Sequence, residues 1–182
     1  MNDNRSIATR PVRLTLLLLI GISMIGLFAG CRNVKYGFSD AAVPVHVKTI
    51  KIRQIENKAN YVNPTLSQRL TDRVRQKITS QTRLTQVNIE NPNADWDITG
   101  VITSYSFTTS GISQGQEATN RLTITVQITR LDQTDDTTKE YTVSRNFDFR
   151  STLSIQQAES ALADEIIRGL SDDIFNRLFS DW

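Results

Sequence analysis

The sequence predicts an α+β domain with the element order β-α-β-β-β-α, in which two helices pack on one face of a four-stranded, mostly antiparallel sheet. Three observations lead there. Two segments carry apolar residues at four-residue spacing, the signature of a helix with one buried stripe. Three segments carry apolar residues at every second position, the signature of strands with one face buried. The two kinds of segment alternate and then run together, which a two-layer domain satisfies by covering one sheet face with both helices.

Residues 46–55 form the first strand, with Ile50, Ile52 and Ile55 as its apolar positions. Residues 64–80 form the first helix. Leu66, Leu70, Val74 and Ile78 make its stripe, Asn63 is its N-cap, and Pro64 suits the first helical position. Residues 94–107 form the second strand, with Ala94, Trp96, Ile98 and Ile102 on one face. Residues 120–131 alternate most regularly: Leu122, Ile124, Val126 and Ile128 on one side, Thr123, Thr125, Gln127 and Thr129 on the other. Residues 139–149 alternate again, with Tyr141, Val143, Phe147 and Phe149 on one face and Arg145 interrupting it. Arg145 is therefore an edge residue or a deliberately placed charge. The turn 132–138 joins these two strands as a hairpin. The last helix spans about 154–179, with the capping-box pair Ser154 and Gln157 and the stripe Leu162, Ile166, Leu170, Ile174 and Leu178. Residues 108–119 read as a long, nearly uncharged loop, a length that is often functional.

The first 30 residues stand apart. Arg5, Arg10 and Arg13 precede an apolar run from Leu14 to Phe28, and Ala29 and Gly30 lead into Cys31. That order is a secretory signal with a small-residue cleavage site. The run is shorter than the ~20 residues that a permanent membrane helix needs. Cys31 is the only cysteine of the 182 residues. A lone thiol in an exported chain asks for a role, and Leu27-Phe28-Ala29-Gly30-Cys31 resembles the lipobox of bacterial lipoproteins. The resemblance implies removal of residues 1–30 and acylation of Cys31, a membrane anchor through covalent lipid. Two or more chains hold stably where one does not. Residues 31–45 then form a tether, punctuated by Gly37, Ser39, Asp40 and Pro44, and residues 46–182 a single domain. Arg32, rather than Asp, follows the lipid site, which by resemblance favours the outer membrane, on its periplasmic side.

Of 21 basic and 19 acidic residues, Arg5, Arg10, Arg13 and Asp3 go with the signal, leaving 18 of each. A neutral domain argues against nucleic acid as a partner, which calls for a basic footprint. Catalytic constellations are missing. His46 is the single histidine, with no Gly-x-Ser-x-Gly elbow beside it, and no second Cys or His completes a zinc site. Asp95 and Asp97 share a strand face and Asp172 and Asp173 are adjacent; both pairs read as solvated charges. The expectation is a protein that is not an enzyme and needs no cofactor beyond the lipid on Cys31. Arg69, Arg73 and Lys77 lie four apart on the first helix, with Arg75 nearby; a solvated face is the simpler reading than a phosphate-binding strip. Arg121, Arg130, Lys139 and Arg145 are further basic candidates in the sheet.

Several stretches, taken in order, resemble the LptE family of lipopolysaccharide-assembly lipoproteins. They are Tyr36-Gly37-Phe38-Ser39, Lys48-Thr49-Ile50-Lys51-Ile52, Val62-Asn63-Pro64-Thr65-Leu66-Ser67-Gln68, Thr82-Arg83-Leu84, and Ala94-Asp95 through Gly100 to Tyr105. The clearest are Asn120-Arg121-Leu122-Thr123-Ile124-Thr125-Val126 and Asp173-Ile174-Phe175-Asn176 with Phe179 and Trp182. The resemblance implies two helices against a four-stranded sheet, a plug inside the β-barrel protein LptD that also helps it assemble, and binding of lipopolysaccharide on its way to the outer leaflet. It makes Arg121, Arg130, Lys139 and Arg145 candidates for lipopolysaccharide contact. The competing reading is a lipoprotein that pilots or stabilises another envelope complex; a periplasmic hydrolase built on His46 or an Asp pair has less support.

Overall fold

The computed structural model describes residues 43–110 and 119–179. The signal, Cys31 and most of the tether lie outside the described residues, as do positions 111–118 and 180–182. Two helices cover one face of a mixed sheet of six strands, with the order β3-β1-β4-β5-β6 and β2 also on β4. The elements are β1 (Thr49–Ile52), β2 (Glu56–Asn57), α1 (Leu66–Gln81), β3 (Thr85–Gln86), β4 (Trp96–Ser110), β5 (Thr119–Asp132), β6 (Thr137–Arg150) and α2 (Ile155–Phe179).

The α+β class and the order of the main elements are as the sequence predicts, with two additions. The expected strand 46–55 is broken: β1 pairs with β4 from Ile50↔Trp96, and the chain then bulges before β2 resumes at Glu56↔Val101. The two-residue β3 adds an edge beside β1. All pairings on this side are parallel, because α1 is the crossover that returns the chain in the same direction. The break has a local cause. Ile55 tucks its side chain over Gly100, where an added Cβ would lie 2.9 Å from Ile55 Cγ1 and 3.0 Å from Ile128 Cδ1. Its backbone is pinned to α1: Thr71 Oγ1 accepts from the Ile55 N–H at 3.0 Å, and the Ser67 hydroxyl donates to the Ile55 carbonyl.

On the other side, β4, β5 and β6 form a long antiparallel meander. The β4–β5 register runs to Ser110↔Thr119. The expected loop 108–119 is therefore shorter than the sequence suggests, since both strands extend into it. A bulge between Ile102 and Ser104 shifts the phase of β4. Before it Trp96, Ile98 and Ile102 face the helices; after it Tyr105 and Phe107 do. A strict alternation carried on from Ile102 would have placed Ser104 and Ser106 there instead.

α1 begins two residues later than expected, with Thr65 rather than Asn63 at its N-cap, but the Asn63 side chain still serves the first turn; the α2 cap is as expected. Asn63 Oδ1 accepts from the N–H groups of Thr65 and Leu66 at 3.1 and 3.2 Å. Ser154 and Gln157 cap reciprocally: the Ser154 N–H donates to Gln157 Oε1 and the Gln157 N–H to Ser154 Oγ. Arg69 reaches Asp164 and Lys77 reaches Asp172, both steps of eight residues in the same sense, so α1 and α2 run side by side in parallel. Ile50, Leu70, Ile78, Ile102, Ile124, Leu170 and Ile174 are fully buried in one core. The packed domain begins earlier than position 46. Val43 is buried, and Arg83 Nη2 donates to the carbonyls of Val43 and Pro44 at 2.8 and 2.9 Å. Among the described residues, no helix is long and apolar enough to cross a membrane.

Candidate functional site

The four basic candidates do not converge. Alternation along β5 and β6 sends Leu122, Ile124, Val126, Ile128, Val143, Phe147 and Phe149 toward the helices. Arg130, Lys139 and Arg145 share that inner side, and Arg121 points to the opposite one. Arg121 makes a fork with Asp148 on the outer face, Nε to Oδ1 at 2.7 Å and Nη2 to Oδ2 at 3.0 Å. Those hydrogen bonds, and then the charge of Asp148, raise the guanidinium pKa. Arg145 bonds Asp173 of α2 at 2.8 Å and lies against Gly169, where a Cβ would sit 2.7 Å from Arg145 Nε. It is thus a placed charge, on the edge strand of the sheet, that binds β6 to α2. Lys139 is exposed and makes no ion pair among the described residues.

Arg130 is the least available of the four, at 7% exposure. Its guanidinium lies 4.3 Å from the Trp96 ring centroid and 5.8 Å from that of Tyr141. Nη1 donates to the Leu178 carbonyl at 3.0 Å, where the C-terminal end of α2 carries partial negative charge. Trp96 Nε1 in turn donates to Asp132 at 2.7 Å. This corner fastens the end of α2 to the sheet through an aromatic-cation stack.

The basic strip on α1 is consumed in the same way. Arg69 and Lys77 pair with α2, and Arg75 donates to the Ile52 carbonyl at 2.8 Å. Arg73 donates to Gln76 on its own helix and makes no ion pair among the described residues. The Asp pairs are structural as well. Asp95 Oδ2 accepts from the N–H groups of Lys48 and Thr49, each at 2.8 Å, and these bonds hold its carboxyl below the ordinary range. Asp97 sits at 6% exposure between Lys51 at 2.9 Å and Arg53 at 2.7 Å. Burial alone would raise its pKa, but the hydrogen bonds from Arg53 and Lys51 outweigh it and hold the carboxyl low. Sequence reasoning missed Lys51 and Arg53. Their only signal was a basic residue at alternate positions opposite Asp97, in a strand paired in parallel. His46 is half exposed, 4.0 Å from Asp135. Among the described residues, no three His, Cys, Asp or Glu side chains gather to hold a metal.

Two clefts lie beside α1. One, of about 20 Å³, is lined by Asn63, Arg69, Tyr105, Glu159 and Ile166, and has room for little more than a water. Its Glu159 is fully engaged by Tyr61, Asn63 and Tyr105 at 3.1, 3.0 and 2.7 Å. The other, of about 330 Å³, is an open polar hollow lined by Gln54, Gln68, Thr71, Asp72 and Arg75.

What remains is a surface. The outer face of the meander presents Thr123, Thr125, Gln127 and Thr129 from β5 and Thr142, Ser144 and Asn146 from β6. These side chains bond across the strands: Thr123 to Asn146 at 2.8 Å, and Thr125 with Ser144 at 3.0 Å. The middle of the face is hydroxyl and amide, with Arg121, Glu140, Asp148 and Arg150 as its charges toward the strand ends, whereas the exposed helix surface carries Arg69, Asp164, Arg73, Arg168 and Asp172.

Fold and surface together define a small two-layer α+β domain whose helices cover one sheet face and leave a polar face of the meander uncovered. The family model described as LptE: Lipopolysaccharide-assembly matches residues 47–178, and the chain belongs to that family of non-enzymatic lipoproteins. No curated protein sequence matches the chain significantly. Among solved structures, a putative neuraminyllactose-binding hemagglutinin homolog from Helicobacter pylori is similar, with TM-score 0.52 at 5% identity over 77% of this chain and 85% of that one. The PelC dodecamer from Paraburkholderia phytofirmans gives 0.47 at 10% identity, over 76% and 93%. Uncharacterized lipoprotein B from Nitrosomonas europaea gives 0.45 at 14% identity, over 73% and 80%.

Proposed function

We propose that this protein is an outer-membrane lipoprotein, acylated at Cys31 after removal of residues 1–30. It plugs and helps assemble an LptD-type β-barrel and assists lipopolysaccharide on its way to the outer leaflet. The observation that carries the reading is the family match across residues 47–178. The hydroxyl- and amide-lined outer face of β5 and β6 supports it. A barrel lumen is polar, and a face made mostly of hydroxyls and amides, with Arg121 and Asp148 already paired to each other, meets such a wall with few charges to desolvate.

Lipopolysaccharide contact by Arg121, Arg130, Lys139 and Arg145 is part of the proposal, with the roles divided. Lys139 and Arg121 are the surface members. Arg130 and Arg145 hold α2 and would act through the shape they maintain. Lys139→Glu is expected to weaken lipopolysaccharide capture without unfolding the domain; unchanged capture by Lys139→Glu and Arg121→Glu would remove the basic contacts from the proposal. The test of the main reading is to isolate the lipidated chain from membranes in mild detergent and identify what accompanies it. A stoichiometric outer-membrane barrel is the expected partner. Recovery with an unrelated envelope complex would replace the plug with the pilot reading.

A further inference from the structure

The two edges of the sheet are unlike. One ends in β3, two residues long. The other ends in β6, a 14-residue strand that pairs with β5 in unbroken register from Thr137↔Asp132 to Arg150↔Thr119. No strand pairs with the far side of β6 among the described residues. Natural edges of this length are protected by proline, by bulges or by inward charges. β6 contains no proline and no bulge; of its two inward-pointing charges, Arg145 is spent on Asp173 and Lys139 lies at the third residue of the strand, away from its centre. A long regular row of backbone donors and acceptors is therefore open to a further strand.

We propose that the occupant is β6 of a second copy of this chain, paired antiparallel about a two-fold axis through Val143, in protein that is free of a barrel. The register follows from side-chain faces and charges. Opposite residues share a face only when the axis passes through a residue position. An axis at Thr142 sets Lys139 against Arg145 of the second copy. An axis at Ser144 sets Glu140 against Asp148, and one at Arg145 sets that arginine against itself. Like charges directly opposite destabilise a sheet. The axis at Val143 avoids every such clash and uses nearly all of the strand. It sets Thr142 against Ser144, Glu140 against Asn146, Thr138 against Asp148, and Tyr141 against Arg145. The interface is isologous, as closed dimers require, and it runs the two sheets into one with all helices on the same side. It is independent of the barrel reading, since it concerns the protein alone.

The test uses the full lipidated chain, purified without a barrel. Val143→Cys places two thiols opposite each other across the axis, at a Cα spacing that a disulfide spans; the parent, whose only cysteine is Cys31, is the baseline. The expected results are a protein mass in detergent twice that of one chain, and a cross-linked dimer from Val143→Cys but not from Thr125→Cys. Thr142→Lys/Ser144→Lys sets like charges across the axis at solvent-exposed positions, and should return the protein to the single-chain mass with an unchanged far-ultraviolet spectrum. A monomeric mass for the parent overturns the proposal, whether or not the cysteine variant folds. A dimer that Val143→Cys does not capture, or that Thr125→Cys captures equally, overturns it too.

Discussion

The parallel side of the sheet and the antiparallel meander solve the same packing problem differently. Around β1 the strands are short, and both faces are covered, so that even Lys51 and Asp97 are buried. In the meander the strands are long, and one face stays in water with side chains that bond to each other across the strands. A charge on the first side needs a partner to be there at all. A residue on the outer face of the second contributes little to the fold and is free to serve recognition.

Breaking the buried pair should therefore have the largest effect. Asp97→Ala leaves Lys51, at 5% side-chain exposure, without its carboxylate. The expected loss is about 3–5 kcal/mol of unfolding free energy, measured by urea denaturation. Gly100→Ala tests the close approach of Ile55, whose Cγ1 would lie 2.9 Å from the new Cβ. Overpacking there should cost about 1–3 kcal/mol, read from the same experiment.

Acid should sharpen the contrast. The carboxyls of Asp95 and Asp97 are held low in the folded state. A depressed folded pKa contributes stability that is present above the unfolded carboxylate value of about 3.9 and is lost as pH falls through the folded value. The melting temperature should thus be nearly flat at neutral pH and fall below about pH 4. Asp97→Asn should lower the plateau and make the acid slope shallower. Asp148 is also held low, by its hydrogen bond from Arg121, but that pair is exposed and screened, and removing it should leave the slope nearly unchanged. The smallest stability effect belongs to Thr125→Ala on the outer face, expected within about 0.5 kcal/mol.

The same contrast decides what could be read from the sequence. β5 and β6 alternate cleanly because water lies on one side, and both were legible to within a few residues. The helix stripes and the Ser154–Gln157 cap were legible because they rest on local spacing, and the start of α1 was legible to within two residues. The parallel side was not. Asp97 read as a solvated charge and Lys51 was passed over, since nothing local announces that the two are buried against each other. The bulge near Thr103 is a register shift against β5, which a single strand does not encode in its own period. The placement of Arg130 depends on Trp96 and on the end of α2, both far away in sequence, so its charge alone made it resemble a ligand contact.

The outer face of the meander is the part of the molecule that the fold leaves free, and the plug reading stands or falls there. A photoreactive side chain introduced at Thr125 in living cells would address it directly, with Arg73 on the exposed side of α1 as the comparison. The expected product is a single adduct with a large outer-membrane β-barrel, stronger from position 125 than from position 73. No barrel adduct from position 125, in cells that make and lipidate the protein normally, would contradict the barrel-facing role of this surface.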